Sequence, residues 1–273
     1  MESNLLDRTP DEVLRTVFEH GDGETYVVKP TDEVIERLVE VAADFEGELP
    51  DLRLVAEGRT VRRVMEDFLV ASSAADLVAD GHLSVRTAAD DRLSESVIVT
   101  EDSVTAVVSA GSHVAGLSTD DDQFVDDAYD AYSDYWADAE QFRLRTPPIS
   151  RVRETLAEEM SPAAETDFST VLASLETAGG NGDGIDEVTV SLLVAAKNEA
   201  LFYDVSRWGE DVGVASKATF SRMKNELEDT GLIGTEKVPV DVGRPRQRLT
   251  ITDERLEEAS SDRIAAVAKS VLN

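Results

Sequence analysis

A chain of 273 residues with 41% hydrophobic side chains has apolar content for two compact cores, and 57 Asp and Glu against 26 Lys and Arg give it a formal charge of −31. No cysteine is present, which excludes disulfides, thiolate catalysis and cysteine-bound zinc. No apolar run approaches the ~20 residues of a membrane span, and Met1-Glu2-Ser3-Asn4 does not start a leader, so a cytoplasmic protein with no membrane partner is expected.

The predicted elements begin at Thr9-Pro10-Asp11-Glu12, where an N-cap threonine, a proline at the first helical position and a glutamate at the third open a helix carrying Val13, Leu14, Val17 and Phe18. Residues 25–29 are strand-like, Thr31 caps a helix with Val34, Leu38, Val41, Ala42 and Phe45 on one face, and 52–56 is the next strand. A helix over 59–80 turns Val61, Val64, Met65, Phe68 and Leu69 inward. This alternation favours a sheet with parallel members and helix-covered faces. Three strands follow at 82–86, 96–100 and 104–108, with a hairpin between the last two. Asp120, Asp121 and Asp122 open a further helix, in which Phe124, Ala128, Tyr132, Trp136 and Ala139 recur near the 3.6-residue period and read as core, with a ligand cleft as the alternative.

Thr146-Pro147-Pro148 marks a boundary between an acidic α/β domain over 1–145 and a second domain over 146–273. Charge changes with it: the first part nets −22 and the second −9. Helices are expected over 151–160 and from Ser161-Pro162 onward, with Phe168, Val171, Leu172 and Leu175 inward. Glycines 179, 180, 182 and 184 then form a flexible connector, without the alternating acids of a calcium loop, before a helix over 186–202.

The most informative stretch is 204–252. Ser206 caps a short helix over 207–212, Gly213 ends it in the left-handed region, and Ser216 caps a second helix over 217–230 with Phe220, Met223 and Leu227 inward and Gly231 as its stop. Lys217, Ser221 and Lys224 form an outward row with Arg222 beside it, while Glu226, Glu228 and Asp229 sit at the far end, which suits a helix entering a major groove by its N-terminal half. Strand-like runs at 232–238 and 246–252, joined through Gly243-Arg244-Pro245-Arg246, make a β-ribbon whose Arg244, Arg246 and Arg248 can pair with phosphate or enter a narrow minor groove. Residues 204–250 hold eight bases and eight acids, neutral in a strongly acidic chain. The candidate DNA-binding set is therefore Ser216, Lys217, Thr219, Ser221, Arg222, Lys224, Arg244, Arg246 and Arg248. Overall acidity does not exclude such a partner. Only six lysines against 20 arginines, with abundant Ala, Val and Thr, is the acidity of high-salt cytoplasm, and in molar salt a Debye length of ~3 Å screens an acidic surface from DNA.

The segments "SRWGEDVGVASKATFSRMKNELEDTGLI" and "GRPRQRLTIT" resemble the winged helix-turn-helix of prokaryotic-type transcription regulators. The element order of 25–142, with "ESVIVTEDSVTAVV" and "DDQFVDDAYDAYSDYWADAEQF", looks like the phospholipase-D-like half-domain that archaeal TrmB-type regulators use as a sensor. Over its length the chain resembles the haloarchaeal TbsP-like regulators. The resemblance implies an α/β phospholipase-D-like half-domain followed by a winged helix-turn-helix, acting as a sequence-specific transcription regulator of a halophilic archaeon on metabolic genes. Its partners would be promoter double-stranded DNA, a second copy of the chain as a homodimer, and a small-molecule effector.

Nothing in the sequence points to catalysis. There is neither a P-loop nor a Gly-x-Gly-x-x-Gly turn, and none of His20, His82 and His113 begins the His-x-Lys-x4-Asp motif of catalytic phospholipase D relatives. No catalytic residue, metal or cofactor is expected. The alternative function is a winged-helix protein-interaction adaptor without DNA binding, and phosphodiester chemistry ranks last.

Overall fold

Strand β1 (Asn4–Arg8) hands the chain to helix α1 (Pro10–His20) through a capping box, in which the Thr9 hydroxyl accepts from the Glu12 amide at 3.3 Å and the Glu12 carboxylate accepts from the Thr9 amide at 3.0 Å. Then come β2 (Glu24–Val28), α2 (Asp32–Ala43), capped by the Thr31 hydroxyl as its sequence position predicts, and β3 (Asp51–Glu57). The single helix expected over 59–80 is instead two, α3 (Gly58–Val64) and α4 (Phe68–Ala79). Between them the Asp67 carboxylate accepts from the Leu69 amide at 2.9 Å, a local cap that competes with a continuous helical ladder although the apolar period runs on.

This computed structural model describes residues 4–21, 23–88, 96–110, 113–177, 185–239 and 245–272. The chain divides into two units, Met1–Glu66 with Val70–Leu144, and Asp67–Leu69 with Arg145–Asn273. In the first, β4 (Leu83–Ala88), β5 (Val97–Val99), β6 (Val104–Ala110), β7 (His113–Thr119), α5 (Asp122–Asp138) and β8 (Glu140–Gln141) complete an eight-stranded sheet of order β1-β7-β6-β5-β2-β3-β4-β8. The β2-β3-β4 core is parallel, as the alternating elements imply, and the other pairs are antiparallel, including the expected β5–β6 hairpin. Strands β1, β7 and β8 escape the sequence reading: β8 is two residues long, and β7 is rich in Ala, Gly and Ser, which carry little strand propensity.

Side chains alternate between the two faces of this sheet. Val27, Leu52, Leu54, Leu83, Val85 and Ile98 join the apolar faces of α1, α2 and α4 in one core, whereas Tyr26, Val28, Val55, Val97 and Val99 pack with Val125 and Trp136 of α5 in another. Under α5 the Arg53 guanidinium pairs with Glu24 and with Asp51 at 3.3 Å, and it donates to the Tyr26 hydroxyl at 3.0 Å. Arg86 lies 4.7 Å from the Trp136 ring centroid. Of the expected stripe on α5 only Trp136 is buried; Ala128, Tyr132 and Ala139 are partly buried against this core, Ala139 also lining a cleft, and Phe124 is 54% exposed.

The second unit holds α6 (Ile149–Glu159), α7 (Pro162–Thr177), α8 (Glu187–Lys197), α9 (Phe202–Val212), α10 (Lys217–Asp229), the hairpin β9 (Ile233–Val238) and β10 (Arg246–Ile251), and α11 (Glu254–Glu257) and α12 (Ser261–Leu272). Its core gathers Val152, Leu156, Phe168, Leu172, Leu193, Trp208, Phe220 and Ile264, and Phe68 and Leu69 belong to it as well. Asp167 ties three helices together. Its carboxylate accepts from Lys197 Nζ at 2.8 Å, Asn198 Nδ2 at 2.8 Å and the Ser261 hydroxyl. The glycine connector at 179–184 and the loop residues Gly243 and Arg244 lie outside the described residues.

Candidate nucleic-acid interface

Helix α8 stops at Lys197, earlier than the expected 186–202, because Glu199 takes a φ of 50° that no helix interior accepts. The next helix starts correspondingly early. Leu201 is the residue before α9, and Ser206, expected as a cap, is buried inside the helix with its hydroxyl donating to Tyr203 O at 3.2 Å. Gly213, at a φ of 98°, ends α9 as expected, and the amides of Gly213 and Val214 both donate to Gly209 O. Gly209 has a second role: a Cβ there would lie 2.2 Å from the fully buried Phe220 ring, so the two helices of the turn pack at a distance only glycine permits.

Ser216 caps α10 as its sequence position implies, accepting from the Thr219 amide at 3.1 Å and lying 2.9 Å from the Thr219 hydroxyl. At about 100° per residue, the buried line Phe220–Lys224–Leu227 sets the opposite face of α10 as Ala218, Ser221, Arg222 and Asn225, all exposed. Lys224 is the correction. Expected in the outward row, it is only 6% exposed, its ammonium 2.7 Å from Glu228 and 5.5 Å from the Phe202 ring centroid. It stands four residues after Phe220 and three before Leu227, so the helical period carries it inward, and Glu228 makes that burial tolerable. The same Glu228 accepts from the Thr235 hydroxyl at 2.9 Å, which fastens the end of α10 to β9.

The ribbon pairs Arg246 with Val238, Arg248 with Glu236 and Ile251 with Ile233, and Ile233 and Leu249 are buried. Leu249 N donates to Ala200 O at 2.9 Å and Leu201 bridges Arg248, so the segment between α8 and α9 acts as a third partner for β10. Arg246 and Arg248, two residues apart, share one side of the ribbon.

Residues 2–147 match the family described as transcriptional regulator TbsP-like, N-terminal, and residues 148–269 match transcriptional regulator TbsP-like, C-terminal HTH domain. The chain belongs to the TbsP-like transcriptional regulators. No curated protein matches it significantly. Among solved structures it is similar to TrmBL2, an archaeal chromatin protein, at 14% identity and a TM-score of 0.36, over 52% of this chain and 54% of that one, about half its length. It is also similar to NucT from Helicobacter pylori, at 11% identity and a TM-score of 0.37, over 51% of this chain and 98% of that one. These likenesses are too distant to carry an argument.

Electrostatics of the TbsP-like C-terminal unit is set by its own acids. Glu210 accepts from Lys217 Nζ at 2.6 Å and from its amide at 3.3 Å, which holds the Glu210 carboxyl below the ordinary glutamate value and pushes the Lys217 ammonium up. Arg246 lies 3.8 Å from Asp204 and 5.2 Å from the Tyr203 ring centroid. Of the expected set, Ser221, Arg222, Arg246 and Arg248 therefore present outward or along the ribbon, Ser216 and Thr219 are engaged in the cap, Lys217 is half-exposed and paired, Lys224 is buried, and Arg244 falls outside the described residues. Two residues escaped the sequence reading. Asn225, three after Arg222 and four after Ser221, shares the outward face and is legible from helical spacing; Tyr203 becomes visible only once α9 is known to begin at Phe202.

In the TbsP-like N-terminal unit a cleft of about 560 Å³ opens where β3 and β4 end, lined by Gly58, Thr87, Ala88, Tyr135, Asp138 and Glu140. Among the described residues no cluster of acids and histidines could hold a metal, and no helix is long and apolar enough to cross a membrane.

Proposed function

We propose that this regulator binds promoter double-stranded DNA sequence-specifically, with α10 in the major groove and the β9–β10 ribbon against the adjacent backbone. The observation that carries this reading is the outward face of α10. Ala218, Ser221, Arg222 and Asn225 give, on a helix of about 20 Å, an apolar contact for a thymine methyl, a hydroxyl, a guanidinium that matches guanine and an amide that matches adenine. Arg246 and Arg248, with Arg244, hold phosphates and set register. The first unit serves sensing or dimerisation. A homodimer would read two half-sites, and the cleft at the carboxyl ends of parallel strands is the place where such sheets take small molecules, so it is where an effector would sit. The acidic composition suits the cytoplasm of a halophilic archaeon, with metabolic genes as targets.

The adaptor reading has one observation in its favour: Lys217 and Arg246 face carboxylates of their own chain. Selection of bound duplexes from a random library in molar potassium chloride separates the two. Enrichment of a defined motif, with Arg222→Ala losing about 1–3 kcal/mol on that motif and little on others, supports base reading. Failure to enrich any motif sinks it in favour of the adaptor.

A further inference from the structure

Tyr203 is 49% exposed, the one large hydrophobic side chain of the second unit, among the described residues, to stand so far into solvent. It opens α9 beside Phe202, and two guanidiniums approach its ring: Arg246 of the ribbon at 5.2 Å and Arg207 of its own helix at 6.0 Å from the centroid. Arg207 is anchored elsewhere, 3.2 Å from Glu159 on α6. Among the described residues Arg246 pairs less closely: its ion-pair partner, Asp204, is 3.8 Å away, beyond hydrogen-bond length. An arginine on a ribbon has several rotatable bonds to freeze before it can meet a phosphate, and a ring face under its guanidinium removes part of that cost in advance without consuming its N–H donors. A carboxylate in the same place would occupy those donors.

We propose that Tyr203 is a positioning residue: its ring is the platform that pre-orients Arg246 toward the DNA backbone, while the loose Asp204 contact steadies the guanidinium and yields to phosphate. This rests on the DNA-binding reading. It adds to the interface a residue that need not touch DNA, and it links the start of α9 to the ribbon through a side chain.

The test measures binding of the full chain to a 30-base-pair duplex of random sequence, across a potassium chloride titration in which circular dichroism shows each variant folded. Tyr203→Ala and Tyr203→Leu are expected to weaken binding by about two- to fivefold, and Tyr203→Phe to retain it, because the ring and not the hydroxyl does the positioning. In an Arg246→Ala background the Tyr203→Ala change is expected to add nothing. Tyr203→Ala should also flatten the log-log salt slope by up to ~0.9, as Arg246→Ala does, since the same phosphate contact is lost. Additive losses, or a Phe variant as weak as the Ala variant, overturn the platform while leaving DNA binding intact. Absence of binding by the unaltered chain overturns the DNA reading instead.

Discussion

Gly209 shows how one missing atom sets an interface. In an exposed helix a glycine is about 1 kcal/mol worse than alanine, yet here an alanine Cβ would sit 2.2 Å from a ring that is fully buried and cannot swing away. Overlap wins. Gly209→Ala is expected to destabilise the second unit by about 1–3 kcal/mol in a denaturant titration, and Phe220→Leu in the same chain to recover part of the loss. Asp167 carries a pH dependence. Burial pushes its carboxyl up, but the hydrogen bonds from Lys197, Ser261 and Asn198 outweigh it and hold the group below the ordinary aspartate value. A depressed carboxyl stabilises the fold above its unfolded pKa of ~3.9, and that contribution fades as pH falls through the lower folded value. Asp167→Asn should therefore cost about 1–3 kcal/mol near neutrality and nothing in strong acid; an equal cost at both ends would show that the ionised carboxylate is not what matters.

Elements differ in how plainly the sequence announces them. Caps at Thr9, Thr31 and Ser216 and the left-handed Gly213 were legible because each is a local bargain between a side chain and the nearest backbone amides. The break at Asp67 and the stop at Lys197 were not, because the apolar period continues through both, and it is the Asp67 cap on the Leu69 amide and the positive φ of Glu199 that interrupt the ladder. For the interface, spacing places Asn225 outward and, read from Phe220 and Leu227, turns Lys224 inward; read from Lys217 and its seven-residue interval the same lysine looks outward, and the Phe202 ring and Glu228 are what hold the buried ammonium in place. The pairing of α9 with α10 also has a measurable effect. Glu210→Gln removes the carboxylate that competes for Lys217, so it should tighten binding to random duplex by several-fold at the lowest salt at which circular dichroism shows both proteins folded, with the advantage vanishing in molar salt. Unchanged affinity at every salt concentration would mean Lys217 never meets a phosphate.

The whole molecule answers to salt in two opposed ways. At a formal −31 its surface carboxylates repel one another, and dilution from molar to tenths of molar salt lengthens the Debye length from ~3 to ~10 Å, so the fold should weaken as salt is removed. Each phosphate contact gains instead, by a slope of about −0.9 in the log-log plot. An optimum is expected, with binding lost on the dilute side through unfolding; circular dichroism and duplex binding followed in one titration would expose a chain that stays folded, or binds best, in dilute buffer. A last consequence concerns where this chain can be cut and rejoined. The second unit draws Phe68 and Leu69 into its core from far upstream, so it is not contiguous in sequence. A ribosome that has just made residues 1–145 has already made two side chains of the later core, and they wait until the rest of that core is made. A chimera that transplants 145–273 onto a foreign first unit would inherit every residue proposed to face DNA and still lack part of its own interior.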